Sequence, residues 1–374
     1  MKFLHMADLH IGKVLNGIPL MEDQRLLLRQ AAALAEQNGV DAVILAGDIY
    51  QRLAPQAEAM TLFNSFLSDL HARNIPVIAI SGNHDSDERV AYLNDLVSAM
   101  GIHLSAPFHG IPDSVILNDA YGEVEFHLLP FLRASAVRKY YPGEKLVSAE
   151  DAMSCVIAHT PLDKSRRHVM IAHQFITGSV TCDSEERIVG GLDAIAAEVF
   201  APFDYTALGH IHTPQQFLEG KVRYCGSLMK YSFSEAGQKK GLLLVELGEK
   251  GEVHTEHLPL DIPHDMRELR GGMEELTKMP PSDDYLRVTV TDENVPPDAQ
   301  ITLRQIFRNM MVFRIENSKT DLEMEVVHDN DIESKSLTEL FCEFYADRNN
   351  GVTPAEKQMK LLGEILTEME VETK

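Results

Sequence analysis

KFLHMADLH, residues 2–10, sets the pattern from which the fold is predicted. Its first six residues form a short, mostly apolar run that is typical of a buried strand, and the polar side chains of Asp8 and His10 follow at once. Helical stretches separate runs of this kind, and such alternation predicts a layered α/β domain. Four later runs end in the same way, at Gly47-Asp48, Gly82-Asn83-His84-Asp85, His173 and Gly209-His210-Ile211-His212.

Apolar periodicity in the first 250 residues predicts both strands and helices. The turn at Asn38-Gly39 suits a left-handed cap at the end of one helix, and Gly101 should stop another. The expected strands are 2–7, 42–46, 76–80, 169–172, 205–208 and 242–247. The expected helices are 25–37, 57–73 and 89–100.

The pattern of polar strand ends stops near Pro259, so we predict a change of domain there. A strand at 286–290, a helix at 299–309 and a strand at 311–315 suggest a small α+β domain. A polar stretch rich in Asp, Asn and Ser then favours a linker. The expected order is a first domain at 1–258, a small domain at 259–328, a linker at 329–336 and two amphipathic helices at 337–374.

Composition excludes several classes of protein. Of the 374 residues, 44% are hydrophobic and 24% are charged, which is typical of a globular chain and not of a disordered one. No apolar run approaches the ~20 residues that span a bilayer. The N-terminal residues do not resemble a signal peptide, and the four cysteines are scattered, so we expect a reduced cytoplasmic protein with neither disulfides nor a thiolate zinc site.

The net charge of −23 argues against nucleic-acid binding over the whole surface, because phosphate binding depends on Lys and Arg. It leaves room for a local basic groove or a basic partner. It also fits an enzyme that collects divalent cations.

The polar residues at the strand ends favour a metal site. Carboxylate, imidazole and amide oxygen together suit Mn²⁺, Fe²⁺ or Zn²⁺. Asp-x-His and His-x-His place both side chains of each pair on one face of an extended segment. Seven candidates are too many for one ion and suit two, which a shared carboxylate would hold ~4 Å apart. They are Asp8, His10, Asp48, Asn83, His173, His210 and His212.

Other histidines carry no such pattern. A single histidine near a strand end is usually a structural residue with satisfied hydrogen bonds. That interpretation applies to His5, His71, His103, His127 and His159.

The order Asp-x-His, Gly-Asp, Gly-Asn-His-Asp, His and Gly-His-x-His resembles that of the calcineurin-like metallophosphoesterases. Within them, the chain is similar to the SbcD-type nuclease subunits of bacterial SbcC–SbcD complexes. The resemblance is close over roughly residues 1–250 and extends to the rest only in layout. The matching segments are 5–10, 46–50, 172–175, 207–212, 224–228, 230–235 and 240–241.

This resemblance implies a fold and a partner. The fold would be a layered α/β metallophosphoesterase sandwich with the nuclease domain at 1–258, a capping domain at 259–328 and the helical pair at 337–374. In this family the helical pair docks on the SbcC-type ATPase. Folding back on its own chain is the alternative, and the polar linker favours docking.

The resemblance also implies roles at the site. One ion would take Asp8, His10, Asp48 and His212, and the other would take Asp48, Asn83, His173 and His210. His84 would face the scissile phosphate and protonate the leaving oxygen or stabilise developing charge. Asp85 would orient His84 or cap a turn. Several relatives have an auxiliary histidine just after Gly-Asp, and this chain departs from them near Gln51.

Further assignments concern the substrate and the assembly. Lys13, Arg52 and Arg89 follow metal motifs and could contact a DNA backbone, or they could be solvated surface charges. Residues 89–100 could join a helical homodimer interface or pack on their own sheet. The resemblance implies two divalent ions, expected to be Mn²⁺, with ATP used only by the partner, and a homodimer within a heterotetramer that acts on DNA and not on membranes.

Three functions follow. The first is a two-metal nuclease subunit, exonuclease on duplex ends and endonuclease on single strands and hairpins, that works with an ATPase in DNA replication, repair and recombination. The second is a phosphoesterase for small phosphoesters or phosphoproteins. The third is a non-catalytic scaffold for DNA ends, which the intact set of ligand positions disfavours. The capping domain, the helical pair and residues 224–241 favour the first over the second.

Overall fold

The computed structural model of the chain describes residues 1–185 and 194–318 and, beyond these, only Cys342, Tyr345, Pro354 and 357–359. The chain divides into two units. The first comprises residues 1–290 and 296–314, and the second comprises residues 291–295 and 315–374.

The strands of the described residues are short and mostly buried. In chain order they are β1 (Lys2–Met6), β2 (Val14–Leu15), β3 (Ile18–Pro19), β4 (Ala42–Ala46), β5 (Val77–Ile80), β6 (Ile102–Leu104), β7 (Asp113–Asp119), β8 (Gly122–Leu129), β9 (Arg167–His173), β10 (Phe175–Ile176), β11 (Ala194–Ile195), β12 (Tyr205–Gly209), β13 (Gln215–Phe217), β14 (Val222–Tyr224), β15 (Gly241–Leu247), β16 (Val253–Pro259), β17 (Met266–Gly271), β18 (Tyr285–Val290) and β19 (Met310–Ile315).

The helices lie between these strands. They are α1 (Met21–Gln37), α2 (Ala57–Ala72), α3 (Asp87–Val90), α4 (Asn94–Val97), α5 (Ala134–Arg138), α6 (Ala149–His159), α7 (Met273–Lys278) and α8 (Ala299–Ile306). Single 3₁₀ turns occur at Ser98–Met100, Ala197–Phe200, Leu218–Gly220 and Phe233–Glu235.

Two six-stranded sheets form the frame, in the orders β16-β15-β1-β4-β5-β6 and β13-β14-β12-β9-β8-β7. In the first sheet β1, β4, β5 and β6 are mutually parallel. In the second, β8, β9, β12 and β14 are parallel. The parallel strands therefore dominate the centre of each sheet, and antiparallel strands are added at the edges.

The two sheets pack face to face. Phe3 of β1 packs edge to face against Phe126 of β8, with ring centroids 5.7 Å apart. Ile44 of the neighbouring strand β4 belongs to the same buried cluster. The opposite faces pack on helices. On the first sheet that layer is α1 and α2, and on the second it includes α6. The fold is therefore a helix–sheet–sheet–helix sandwich, as predicted.

Most predicted elements of the sandwich are confirmed. The strand at 42–46 has the predicted bounds, and the helix at 57–73 ends one residue earlier. The helix expected at 25–37 begins four residues earlier, at Met21, and Gly39 adopts the expected positive φ of 58° just beyond its end. Short apolar runs between turn residues were sufficient to locate these elements.

The helix predicted at 89–100 is wrong. The structure has two short helices there, α3 and α4, followed by a 3₁₀ turn. Leu93 between them has φ 66°, which no helix interior accepts. The carboxamide oxygen of Asn94 accepts a hydrogen bond from the backbone N–H of Leu104 at 2.9 Å, so the second helix is tied to β6 instead of continuing the first.

A separate three-stranded sheet of β17, β18 and β19 follows the sandwich. β18, α8 and β19 correspond to the predicted strand 286–290, helix 299–309 and strand 311–315, and β17 was not predicted. Tyr285 donates a hydrogen bond to Asp23 of α1 at 2.9 Å, and the Nζ of Lys230 lies 2.7 Å from the carboxylate of Asp265. The proposed boundaries at 258 and 328 remain predictions.

Little of the second unit is described. Asn317 donates to the carbonyl of Asp292 at 3.1 Å, and Gln358 donates to the hydroxyl of Tyr345 at 3.0 Å. The sulfurs of Cys342 and Met359 are 3.6 Å apart. Residues 319–328, the predicted linker 329–336 and most of the predicted helical pair at 337–374 lie outside the described residues.

Within the described residues, no helix combines the length and the apolar character that crossing a membrane requires.

Candidate metal centre

Five strand ends meet at one edge of the sandwich. Strands β1, β4 and β5 are parallel neighbours in the first sheet, and β9 and β12 are parallel neighbours in the second. The sheets are in direct contact there. His173 at the end of β9 places Nδ1 2.7 Å from the carbonyl oxygen of Ala46 in β4. The backbone N–H of His210 donates to Asp8 Oδ1 at 3.0 Å.

The loops after β1 and β4 are joined by backbone hydrogen bonds. The backbone N–H of Asp8 donates to the carbonyl of Gly47 at 3.1 Å, and the backbone N–H of His10 donates to the backbone carbonyl of Asp48 at 3.0 Å. Asp8, His10, Asp48 and His210 all have positive φ, at 52°, 43°, 51° and 102°. Residues other than glycine rarely adopt this backbone conformation, and those that do are concentrated at functional sites.

Three glycines allow this close approach. A Cβ at Gly209 would lie 2.0 Å from the carbonyl oxygen of Ala46, one at Gly47 would lie 2.4 Å from the His173 ring, and one at Gly82 would lie 2.1 Å from the Asp48 carboxylate. None of these positions can hold a larger residue without displacing the cluster.

One half of the cluster joins Asp8, His10 and His212. The Nε2 atoms of His10 and His212 are 3.1 Å apart, and ligand-type atoms of all three side chains lie within 4.8 Å of one another. All three residues are buried.

The other half surrounds the amide oxygen of Asn83. That oxygen is 3.0 Å from Nε2 of His173 and 2.9 Å from Nδ1 of His210. Asp48 lies between the two halves, because its Oδ2 is 3.4 Å from Nε2 of His173 and 3.6 Å from Nε2 of His10. The seven residues named from the sequence are thus brought together, with Asp48 placed to be shared.

The donor atoms of this cluster fit a cation. Nδ1–H of His173 donates to the carbonyl of Ala46, so in the neutral, metal-binding form of the ring the lone pair of Nε2 would face the oxygen of Asn83. Two acceptors that converge in this way need a positive charge between them. Burial lowers the pKa of His210 to about 3 and that of His10 well below its ordinary value, which keeps both imidazoles neutral, the form that binds metals.

The carboxylates attract positive charge to the same place. Burial opposes the charge on His173, but the carboxylates of Asp48 and Asp8 outweigh it and raise the pKa of His173 to about 9. Burial raises the pKa of Asp8 to about 6, although nearby histidines oppose that rise. Two buried carboxylates with surplus negative potential are what one or two divalent cations would neutralise.

His84 lies beside the cluster and is half-buried. Its backbone N–H donates to Asp48 Oδ1 at 2.9 Å, and its Nδ1 lies 3.2 Å from the carbonyl oxygen of Gln51. Nε2 makes no hydrogen bond to any residue in the described ranges, so it is available to a substrate. A ligand-type atom of His84 is also within 4.8 Å of His10 and Asp48, so distance alone does not separate a ligand from a proton donor.

Asp85 faces the backbone. Its carboxylate accepts hydrogen bonds from the N–H groups of Ile49 at 2.9 Å, Tyr50 at 2.8 Å and Gly82 at 3.0 Å. These contacts correspond to the second of the two roles considered for Asp85, the capping of a turn. The His84 ring is contacted instead by the carbonyl oxygen of Gln51. Gln51 thus contributes its backbone at the position where relatives were expected to carry a histidine.

The three cations named for DNA contact are in different surroundings. Lys13 is partly buried, and its Nζ lies 5.1 Å from the centre of the Tyr231 ring, next to the half of the cluster that contains His10. Burial lowers the pKa of its ammonium group. Arg52 and Arg89 are exposed, and Arg89 lines a cleft beside Asn83.

A buried network supports His212 from behind, and sequence reasoning assigned it no role. The Oγ of Ser184 is 2.7 Å from Nδ1 of His212 and donates to Glu235 at 2.6 Å. Glu235 is fully buried, and its other oxygen lies 2.6 Å from Nζ of Lys240. Lys240 in turn donates to the carbonyl of His212 at 2.7 Å.

This network fixes the ring of His212 with Nε2 directed at His10. Carboxylates placed behind a metal-binding histidine orient it and strengthen it as a ligand. Burial opposes the charge on Glu235, but the nearby His212 and Lys240 hold the pKa of that carboxyl well below its usual range. Residues 230–235 and Lys240 had stood out only as segments of resemblance.

Comparisons with known proteins give two family matches. A model described as calcineurin-like phosphoesterase matches residues 1–214. A second model, SbcD_C, described as the type 5 capsule protein repressor C-terminal domain, matches residues 262–349.

Solved structures that the chain matches include a dimetal phosphatase from Danio rerio. It has 13% sequence identity and a TM-score of 0.41, with 69% of this chain and 98% of that chain covered. Another is TT1561 of Thermus thermophilus, with 13% identity, a TM-score of 0.38 and coverage of 68% and 98%.

Proposed function

Because this chain belongs to the calcineurin-like phosphoesterase family, a superfamily of metal-dependent hydrolases with a dinuclear site, we propose that it is the DNA nuclease subunit of an SbcC–SbcD-type complex. It would act as an exonuclease on duplex ends and an endonuclease on single strands and hairpins, in repair and recombination. The observation that carries this proposal is the cluster of seven side chains, in which Asp48 lies between the two halves. The same chain also matches the SbcD_C model at 262–349.

The two halves of the cluster suggest how ions would be held. Asp8, His10 and His212 would bind one, the group of three around Asn83 would bind the other, and Asp48 would bind both. Two divalent ions, expected to be Mn²⁺, would supply Lewis-acid polarisation of the phosphodiester and a lowered pKa of the attacking water. The chain's own residues exclude bulk water, since nearly all of these side chains are buried.

His84 would act on the leaving group. The contact of its Nδ1 with the carbonyl of Gln51 fixes the ring and leaves Nε2 to face the phosphate. From there the ring, when protonated at both nitrogens, would give its Nε2 proton to the departing oxygen or stabilise the charge of that oxygen. Asp85 would serve this step only through the loops that its carboxylate holds.

The assembly is also part of the proposal. The match at 262–349 supports an SbcC-type ATPase as the partner, with ATP used by that subunit alone. The side chains of Tyr92 and Leu96 are 71% and 68% exposed, which supports pairing of two copies through this segment. Such a pair would form the centre of a heterotetramer.

Cleavage assays test the function directly. The purified chain is given end-labelled duplex, single-stranded and hairpin DNA with Mn²⁺ or with chelator, and bis-p-nitrophenyl phosphate and a phosphopeptide in parallel. Mn²⁺-dependent cleavage of DNA, with little turnover of the phosphopeptide, is expected. Turnover of the small phosphoesters alone would mean that the alternative function, a small-substrate phosphoesterase or phosphatase, is correct.

His84→Gln separates proton transfer from metal binding. We expect the variant to bind Mn²⁺ like the wild type in calorimetry and to lose DNA cleavage by about 10²-fold or more, because a general acid contributes on that order. Asp8→Asn is the contrasting variant, which should lose both. Loss of Mn²⁺ binding in His84→Gln would instead make His84 a ligand.

A further inference from the structure

An open cleft of about 610 Å³ adjoins the half of the cluster built around Asn83. This volume is in the range of ordinary ligand sites. Both Gly82 and Asn83 line it, so a molecule in the cleft would reach the residue whose amide oxygen joins His173 and His210. Its other walls come from the loop after β4, from α3 and from residues 131–136.

Phe131 forms an aromatic wall between the cleft and the cluster. Its ring centroid is 6.2 Å from those of His173 and His210, and it is nearly parallel to His210, at 17°. The residue is only half-buried, so part of the ring faces the cleft. A group that stacked on the Phe131 ring would have only that ring between it and the histidines of the cluster.

Two arginines line the same cleft. The guanidinium of Arg133 lies over the Phe131 ring, 5.7 Å from its centroid. Arg89 lines the cleft from α3. Both are exposed and neither forms an ion pair with a carboxylate within the described parts of the chain. Other arginines, such as Arg73, Arg166 and Arg167, are paired with Asp or Glu.

The acidic residues of the cleft are partly engaged. The carboxylate of Asp85 accepts backbone N–H groups, as described above, and Asp87 accepts the hydroxyl of Ser81 at 2.5 Å. Glu88 accepts the hydroxyl of Ser86 at 2.8 Å but is exposed. The negative charge of Glu88 would repel an anion in the cleft. Removal of this charge should therefore strengthen anion binding, whereas removal of an arginine should weaken it.

We propose that this cleft binds the nucleotide next to the phosphodiester that is cut. Its base would take the place of the Arg133 guanidinium over the Phe131 ring, and its phosphate would be held by Arg89 and by Arg133. Aromatic and guanidinium surfaces stack on any base, and arginine matches a phosphate with paired N–H donors. Such stacking needs a base that has left the duplex, so the cleft would take a single strand or a frayed end. This inference rests on the proposed nuclease function.

Equilibrium binding tests the cleft without turnover. The probe is a fluorescein-labelled oligothymidylate, measured by anisotropy with the full chain in chelator over a range of salt concentrations. For the double variant Arg89→Ala/Arg133→Ala we expect a Kd roughly tenfold higher or more, and a slope of log K against log salt smaller by about 0.7 per lost contact. Arg29→Ala on the exposed part of α1, away from the cleft, is the matched control.

Two further variants test the sign and the stacking. Glu88→Gln should lower the Kd, because it removes a negative charge from the cleft and leaves a side chain of the same size. Phe131→Leu should raise the Kd by about fivefold to a hundredfold with an unchanged salt slope, since only stacking is lost. Phe131→Tyr should restore binding.

The outcomes separate the two proposals. A wild-type chain that neither binds nor cleaves DNA, but hydrolyses bis-p-nitrophenyl phosphate, would overturn the nuclease function and the cleft together. A wild-type chain that cleaves DNA, with wild-type Kd and salt slope in the double arginine variant, would overturn the cleft alone. A rise in the oligonucleotide KM with little change in kcat in these variants would support binding in the cleft.

Discussion

At the scale of single residues, the hydrogen bonds of the ring nitrogens separate structural histidines from site histidines. His5 was interpreted as structural, and it is fully buried with both nitrogens engaged. Its Nδ1 accepts the hydroxyl of Tyr205 at 3.0 Å and its Nε2–H donates to the carbonyl of Leu208 at 3.1 Å. In the cluster, by contrast, ring nitrogens face other acceptors.

The buried neutral state of His5 predicts sensitivity to acid. Burial lowers the pKa of His5 to about 3, below the ~6.5 of an unfolded chain. Its contribution to the free energy of unfolding is therefore complete above pH ~6.5 and is lost as the pH falls toward 3. At pH 5 the loss is about 2 kcal/mol.

His5→Gln should reduce that loss, because Gln keeps a donor and an acceptor but does not titrate. Urea unfolding at pH 7 and pH 5 measures the drop in each protein. The drop in His5→Gln should be smaller than in the wild type by about 2 kcal/mol. Equal drops would show that the protonation of His5 does not limit stability.

Ser184 connects His212 to Glu235, so its removal should weaken metal binding. For Ser184→Ala we expect one Mn²⁺ affinity to fall by about 10- to 100-fold, because the ring of His212 loses its orienting partner. Titration calorimetry with Mn²⁺ measures both binding steps.

Ser68→Ala is the control for this variant, because within the described parts of the chain the Ser68 hydroxyl bonds only a carbonyl of its own helix, that of Asn64. The second Mn²⁺ step, which would report the half around Asn83, should change less. If Ser184→Ala matched the wild type in both steps, Ser184 would have no positioning role.

At the scale of elements, the site depends on how closely two sheets approach at the ends of their parallel strands. Each strand delivers one or two side chains. At or just after the ends of three of these strands, Gly47, Gly82 and Gly209 permit a neighbouring strand or loop to come within contact distance. The helix predicted at 89–100 was wrong, because apolar periodicity alone did not reveal the turn at Leu93.

Gly209→Ala should disrupt this approach. The new methyl would meet the carbonyl oxygen of Ala46 at 2.0 Å and the ring of His173 at 2.7 Å, and both neighbours are backbone or buried. We expect a loss of about 3 kcal/mol in the free energy of unfolding, with weaker Mn²⁺ binding.

Gly143→Ala is the matched control, because no atom of the described residues lies within 4 Å of a Cβ built at Gly143. Urea unfolding should show a change within about 1 kcal/mol of zero for this variant. A Gly209→Ala protein as stable as Gly143→Ala would contradict the close packing of β4 and β12.

At the scale of the whole molecule, a chain with net charge −23 must bind a polyanion through local features or through a partner. The cleft with Arg89 and Arg133 is one such feature. A partner that supplied further positive surface would be the other, and the residues predicted to dock it are 337–374.

Deletion of residues 337–374 should abolish capture of the SbcC-type ATPase in a pull-down, because it removes the predicted docking helices. Mn²⁺-dependent cleavage of single strands should persist, since every side chain of the cluster precedes residue 213. An undiminished complex with the ATPase would rule out docking through these helices. The full-length chain in the same pull-down is the control.

The sequence by itself determined the strands that end in Asp, Asn and His and the glycines beside them. These are local matters, since a short apolar run followed by a turn leaves few conformations for the residues after it. They sufficed to predict the layered α/β fold and to name the seven side chains that the structure brings together.

Only the tertiary structure decided which distant segments support that cluster. Ser184 and Glu235 reach His212 because two loops far apart in sequence fold against it, and no periodicity records such a contact. The same is true of Phe131 and Arg133, which follow a strand with no motif of their own. Asp85 shows the limit most clearly, because the same carboxylate could orient a histidine or cap a turn, and no sequence pattern records the three backbone N–H groups that it accepts.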